Sequence, residues 1–398
     1  MTVAPSRLDT RHRSAAVALV GSVVGVGALF LPASGVRLGG ALAAWTYHLV
    51  AGGLLVAALS LTARAHHGGP GTGPEVVRFT AAELGAAGCA VRWYYLVGIT
   101  VGQAVVATVG GWYFAWVGGR PGAWPVAAAL ILMCAAAVAA SGWRGRIGPP
   151  AGLLAVTMLG ALLVAGTLPL PDALGTVPGG AVGFGVVTFT LSFAFVGWES
   201  AIGLAGEARP GAIRRAGLAA GVAGVAVAYL VLAGLAGAGA DLVWPQWIVQ
   251  GGAVLAGMLC ALACVRNLAT VAALGAGAAP AAAGARGRRH RLLVAAATAG
   301  TALALIAAHR LTLIEVLSVP NAMALAVFCT AAVAVLVRGP AAARACAAPA
   351  LLGYALLVPF GGLAVLGPVV LLLAGLVRHR VTGRGRRGPE LLSTPERM

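Results

Sequence analysis

The feature that most constrains this chain is its division into twelve apolar blocks of membrane-crossing length, each closed by a short polar or Pro/Gly-rich break. The blocks run 15–34, 40–63, 86–117, 123–142, 148–168, 182–206, 214–238, 247–274, 292–308, 316–337, 343–358 and 361–377. A helix needs about 20 apolar residues to cross the hydrocarbon core of a bilayer. Only 9% of the 398 residues are charged and 60% are hydrophobic, whereas a soluble protein carries about 25% charged residues. The chain therefore reads as an all-α membrane protein with about twelve transmembrane helices. The block at 86–117 is long for one span and is expected to begin as an interfacial helix, and the last two blocks are divided at Pro359. Arg7, Arg11 and Arg13 precede the first block as they would in a signal peptide, but no clear A-x-A cleavage site follows. That block is read as a retained first helix.

The formal charge of +17 does not point to a nucleic-acid partner. All 27 basic residues are arginine, and nearly all lie in the breaks and tails between apolar blocks, not on one folded face as a nucleic-acid binder requires. With the N-terminus in the cytoplasm, the inner segments hold Arg64, Arg78, Arg144, Arg146, Arg209, Arg214, Arg215, Arg286, Arg288, Arg289, Arg291, Arg338, Arg344 and the group from Arg378 to Arg397. The outer segments hold Arg37, Arg120 and Arg310. This asymmetry predicts a multi-pass plasma-membrane protein with an even number of spans and both termini in the cytoplasm. Residues 1–14 then form a cytoplasmic tail, 15–377 the membrane domain, and 378–398 a basic tail near anionic lipid headgroups.

Glu199 lies inside the sixth block, in the run Thr188-Phe189-Thr190-Leu191-Ser192-Phe193-Ala194-Phe195-Val196-Gly197-Trp198-Glu199-Ser200. A carboxylate at membrane depth is costly and faces a partner or a water-filled path rather than lipid. The preceding Gly197 weakens the helix at that point. The first block carries a matching feature, with Gly21, Gly25 and Gly27 close together before Pro32. An unwound first helix would free backbone N–H groups and present a half-helix N-terminus to an anion. A break at Val196–Gly197 would free carbonyls for an ammonium. A glycine-rich packing face would leave the same trace in the first block alone. Matched interruptions in the corresponding helices of two five-span repeats point instead to a transport site.

These two segments resemble a known family. Gly21-Ser22-Val23-Val24-Gly25-Val26-Gly27-Ala28-Leu29-Phe30 is similar to the first-helix G-x-x-x-G-x-G signature of the amino acid–polyamine–organocation superfamily. Phe195-Val196-Gly197-Trp198-Glu199-Ser200, followed by Glu207-Ala208-Arg209-Pro210, resembles its sixth-helix region. The short length and compact loops look closest to bacterial neutral amino acid efflux permeases. The resemblance implies a LeuT-like 5+5 inverted repeat with helices 1 and 6 broken, the repeats covering about 15–168 and 182–337 and two extra helices 343–377. It further implies a substrate site formed by Val23, Gly25, Val26, Gly27, Phe193, Val196, Gly197 and Trp198. The N–H groups of Val26 and Gly27 would hold a carboxylate, and the carbonyls of Val23, Phe193 and Val196 an amino group. Phe193 would gate the site, and Glu199 would serve gating or proton coupling. Three departures stand out: Val26 replaces a small or polar residue, Gly275 stands where the family has an arginine after Asn267, and the fifth block has no lysine or arginine.

The remaining polar residues are expected to be structural. Cys260 and Cys264 share a helix face with no acid or histidine at metal-ligand spacing, so packing accounts for them. Arg266 is expected to snorkel to the interface rather than pair with Glu199. His48 reads as a neutral packed histidine, His66 and His67 as a loop pair, and Asp241 and Glu315 as solvated residues at helix ends. Trp198 either shapes the pocket or packs on a neighbouring helix. An enzyme would gather several polar residues at one depth and a channel would repeat a polar ring, and neither pattern occurs in the sequence. The expected protein is thus a non-enzymatic amino acid transporter for neutral substrates, without cofactor or bound metal. Its partners would be the amino acid, a coupling proton or an exchanged amino acid, and membrane lipid.

Overall fold

A computed structural model describes residues 16–38, 41–62, 75–141, 150–164, 179–202, 211–237, 245–273 and 281–384. The expectations for the N-terminal tail, Arg64, His66, His67, Arg144, Arg146, Glu207, Arg209, Asp241, Gly275 and the far C-terminal tail lie outside the described residues.

The described chain is helical throughout. In order, the helices are α1 (Ala16–Val23), α2 (Gly27–Arg37), α3 (Ala41–Thr62), α4 (Glu75–Leu84), α5 (Ala86–Val117), α6 (Trp124–Ala140), α7 (Pro150–Val164), α8 (Gly180–Leu191), α9 (Gly211–Gly237), α10 (Gln246–Ala273), α11 (Ala281–Ala307), α12 (Leu313–Arg338), α13 (Ala341–Leu357) and α14 (Leu366–Arg384). Among the described residues eight helices are long and apolar enough to cross a membrane, nine if α1 and α2 form one bent span. Two shorter apolar stretches, Leu154–Leu163 and Gly180–Phe195, fit the fifth and sixth expected spans. The stretch Ala341–Val377 is interrupted at Gly362, whose φ of 54° breaks the helix close to the expected division at Pro359. An arrangement of twelve spans fits this layout.

Two expectations about helix limits change. The interfacial start expected for block 86–117 is not there, because Ala86–Val117 is one continuous helix. The amphipathic helix is the separate α4, with Val76, Phe79 and Thr80 on its buried side and Glu75 bonded to Arg78 on the other. Gly85, with φ 56°, turns the chain between them. Gly88 then lets α5 lie directly on α4, since a Cβ there would strike the Thr80 carbonyl. The second change is α11, which starts at Ala281 rather than 292 and so carries Arg286 to Arg291 within the helix. Alanine and arginine are both good helix formers, so this segment need not stop at the membrane boundary.

α5 is the central column, packed against α6, α10, α11 and α12, while α3 packs against α9 and α13. α12 starts with a capping box: the Thr312 hydroxyl accepts the Glu315 N–H, and the Glu315 carboxylate accepts the Thr312 N–H. Glu315 is exposed at a helix end, as the sequence suggested. At the other end of α12, Arg338 reaches Glu83 of α4 at 3.5 Å. The segments holding Arg78 and Arg338 therefore share one end of the molecule, in keeping with the arginine distribution.

Candidate functional site

The last helical bond of α1 runs from the Val24 N–H to the Val20 carbonyl at 2.7 Å, α2 begins at Gly27, and the two halves are bent by 60°. In the gap, the Gly25 N–H donates to the Val23 carbonyl at 2.9 Å, a tight turn rather than a helical bond. Ala28 and Leu29 then donate to the Gly25 and Val26 carbonyls, at 3.0 Å each. Among the described residues, the N–H groups of Val26 and Gly27 meet no backbone carbonyl. Both point from the start of α2, where orphan donors and the helix dipole favour an anion.

The second break follows α8. Ser192–Phe195 tightens to a 3-10 turn, Val196 becomes extended at ψ 122°, and Gly197 takes φ 126°. Only glycine adopts that conformation readily. The chain continues as a 3-10 turn at Trp198–Ser200. Glycines bring the two breaks into direct contact. A Cβ on Gly197 would strike the Ser22 carbonyl, and one on Gly27 would come within 3.2 Å of the Ala194 Cα. The Ser22 and Ser200 hydroxyls lie 2.8 Å apart across the same seam.

Polar side chains of the surrounding helices bond the backbone at and beside the breaks. Tyr229 of α9 donates to the Ala194 carbonyl at 2.8 Å and also reaches the Val23 carbonyl at 3.3 Å. Tyr113 of α5 donates to the Leu29 carbonyl at 2.7 Å. Asn321 of α12 donates to the Thr190 carbonyl at 3.0 Å. Each bond crosses between helices, so the unwound segments are held by the surrounding bundle.

Glu199 is 6% exposed. Its Oε1 accepts the Tyr95 hydroxyl at 2.5 Å and its Oε2 accepts the Gly197 N–H at 2.9 Å. Arg266 is exposed on α10 and is not among these partners. The carboxylate thus bonds both to the break it follows and to α5. His48, buried on α3, bonds the Thr188 carbonyl through Nε2 at 2.6 Å and stacks on Phe195. It is packed structure, as its sequence context suggested.

The sequence-derived site residues divide into two groups. Gly25, Val26, Phe193 and Val196 keep partial exposure, and a Cβ on Gly25 would meet nothing within 4 Å. The edge of the Phe193 ring lies beside Gly102 of α5, and these four are the partly exposed part of the paired breaks. Val23, Gly27, Gly197 and Glu199 are buried in the seam behind it. Trp198 lies on the far side. It is fully buried, stacks on Phe195, and its indole fills a space left by Gly52 of α3, with its N–H unpartnered among the described residues. Of the two readings open for Trp198, the structure adopts packing on a neighbouring helix. Sequence reasoning did not single out Tyr95, Tyr113 or Tyr229. A tyrosine in an apolar block looks like any packing aromatic, and its partners lie on other helices.

A scan against protein-family models gives no match, and no curated protein matches the chain. Solved structures do. A manganese transporter of Eremococcus coleocola in complex with an aromatic bis-isothiourea compound has a TM-score of 0.55 at 11% identity, with 96% of each chain covered. The H236A mutant of that transporter gives 0.54 at 11% identity over the same shares. MhsT in complex with L-phenylalanine gives 0.50 at 14% identity, covering 93% of this chain and 98% of that one. At such identities the likeness is one of fold. Taken with the paired breaks, it defines the class: an all-α membrane protein with a LeuT-like fold, broken in its first and sixth helices.

Proposed function

We propose that this protein is a secondary active transporter that moves small or aliphatic neutral amino acids across the plasma membrane by alternating access; export is preferred as its direction solely on the resemblance to efflux permeases. The observation that carries the reading is the meeting of the two breaks. There the N–H groups of Val26 and Gly27, which meet no backbone carbonyl among the described residues, open a half-helix that packs through Gly27 on Ala194 of the second break. N–H donors at a helix start suit an α-carboxylate, and carbonyls of an unwound segment suit an ammonium. The side chains at this edge, Val26, Phe193 and Val196, are apolar. A charged substrate side chain would lose hydration there without a partner, at a cost of several kcal/mol.

The L-phenylalanine complex of MhsT supports an amino acid as cargo for this fold. The manganese transporter supports a second reading, a small cation or another organic amine. Among the described residues no three His, Cys, Asp or Glu side chains come together as metal ligands would, so the amino acid is preferred. We assign the uptake of a coupling proton to Glu199, and its bonds to the break and to α5 support that role. Exchange against a second amino acid is the other mode this site accommodates.

Flux into or out of proteoliposomes, with a panel of competing amino acids, tests the reading. Leucine or methionine should compete strongly. Strong inhibition by arginine or glutamate, with none by leucine or methionine, overturns the substrate class. Manganese flux without amino acid flux overturns the proposal in favour of the cation.

A further inference from the structure

Asn321 follows Pro320 inside α12 and is fully buried. Its Nδ2 donates to the Thr190 carbonyl at 3.0 Å. A carbonyl can only accept, so this bond fixes which end of the amide faces Thr190 and turns Oδ1 away from it. Oδ1 is buried and meets no donor among the described residues. A buried acceptor left unmet calls for a ligand, a water or a function to account for it. The amide stands beside the second break. Thr190 is one helical turn before Ala194, and α12 packs against both α8 and the turn Ser192–Phe195. A Cβ on Gly102 of α5 would lie 3.5 Å from the Phe193 ring and 3.7 Å from the Pro320 side chain. Phe193 and the residue before Asn321 thus meet at one point of α5.

The acceptors around the breaks indicate what Oδ1 serves. A primary ammonium carries three N–H donors, and a carbonyl oxygen has two lone pairs. Of the three carbonyls expected to receive the ammonium, that of Val23 is full, with the Gly25 N–H at 2.9 Å and the Tyr229 hydroxyl at 3.3 Å. That of Phe193 takes one long bond of 3.4 Å from the Val196 N–H and keeps a lone pair. The Val196 carbonyl supplies a second place. Both oxygens of Glu199 are engaged, by the Tyr95 hydroxyl and the Gly197 N–H. The backbone therefore offers two places for three donors, and the unmet Oδ1 of Asn321 is the third.

We infer that Asn321 is a specificity-determining residue of this site, its Oδ1 accepting the third N–H of the substrate ammonium beside the carbonyls of Phe193 and Val196. The inference rests on the amino acid reading above and adds to it a requirement for a primary amine. An N-methyl amino acid has one N–H fewer, so it fills the two carbonyls and leaves Oδ1 unmet. A site that hydrogen-bonds each donor of its ligand rejects the analogue lacking one, because its own buried group is then left without a partner.

Binding of tritiated leucine to the purified full-length chain, with leucine and N-methylleucine as competitors, tests the inference. The unaltered chain should bind leucine about tenfold more tightly than N-methylleucine. Asn321→Leu keeps the bulk and removes the acceptor. It should weaken leucine by about that factor and N-methylleucine little, so that the preference disappears. Asn321→Asp keeps an acceptor but gives up the donor to Thr190, and should retain the preference. A purely structural role would weaken both ligands alike, so a preference unchanged in Asn321→Leu, or lost in Asn321→Asp, overturns the assignment. Equal binding of the two ligands by the unaltered chain also overturns it, and that comparison stands even if a variant fails to fold. A chain that binds neither leucine nor methionine overturns the amino acid reading itself, and the assignment of Asn321 falls with it.

Discussion

Tyr95 on α5 and Glu199 after the second break meet in a hydrogen bond of 2.5 Å. The hydroxyl donates to one carboxylate oxygen while the Gly197 N–H, at 2.9 Å, occupies the other. A single buried acid thus joins the central column of the bundle to the second break. Tyr95→Phe removes the donor and keeps the ring. A hydrogen bond to a charged group contributes about 1.5–3 kcal/mol, so we expect flux to fall by about tenfold or more and its pH profile to move. Initial rates across pH in proteoliposomes check this, and an unchanged profile would remove Tyr95 from the mechanism.

Glu199→Gln keeps the shape and one acceptor oxygen but removes the ionisable group. The variant should insert and purify as the unaltered chain does, while coupled flux is lost. Full activity with the original pH dependence would show that this carboxylate is only structural.

Gly197→Ala should be among the most damaging single-methyl changes in the protein. The new Cβ would strike the Ser22 carbonyl, and φ 126° is strained for any other residue. Strain of this kind costs about 1–3 kcal/mol before the collision is counted. Thermal melting in detergent should show a drop of several degrees, and a melting point equal to the unaltered chain would mean that the breaks do not touch.

Tyr229→Phe leaves the Ala194 and Val23 carbonyls without their shared donor. The Val23 carbonyl keeps the Gly25 N–H, but leaving the buried Ala194 carbonyl without this donor costs about 1–3 kcal/mol. The loss should appear as faster hydrogen exchange at both breaks together. Faster exchange at one break alone would contradict the bridge.

Gly52→Ala places a methyl where the Trp198 indole lies. Overpacking of this kind costs about 1–3 kcal/mol. Adding Trp198→Leu should recover part of the lost stability, whereas two additive losses would mean that the residues are not in contact.

The architecture was legible in the sequence to the extent that it rests on local signals. Apolar length marked the spans, and Gly21, Gly25, Gly27 and Gly197 marked the interruptions, because backbone freedom is a property of the residue itself. The start of α11 was misplaced because hydropathy ends at the bilayer while helix propensity does not. The tyrosine hydroxyls were not legible at all. Tyr229 meets Val23 and Ala194 only after α9 has packed beside both breaks, and nothing near position 229 announces that contact. Trp198 was left open for a related reason, since the space that receives it is made by Gly52 on another helix.

The contact of Gly197 with the Ser22 carbonyl has a consequence for motion. Where side chains separate two helices, a shift of one is absorbed by rotamer changes and the helices slide independently. Here main chain rests on main chain, and nothing in between can yield. The seam has the form of a keyed joint, so in the transport cycle proposed above the two breaks are expected to travel as one piece, with any opening at the outer boundary of that piece and not along the joint itself.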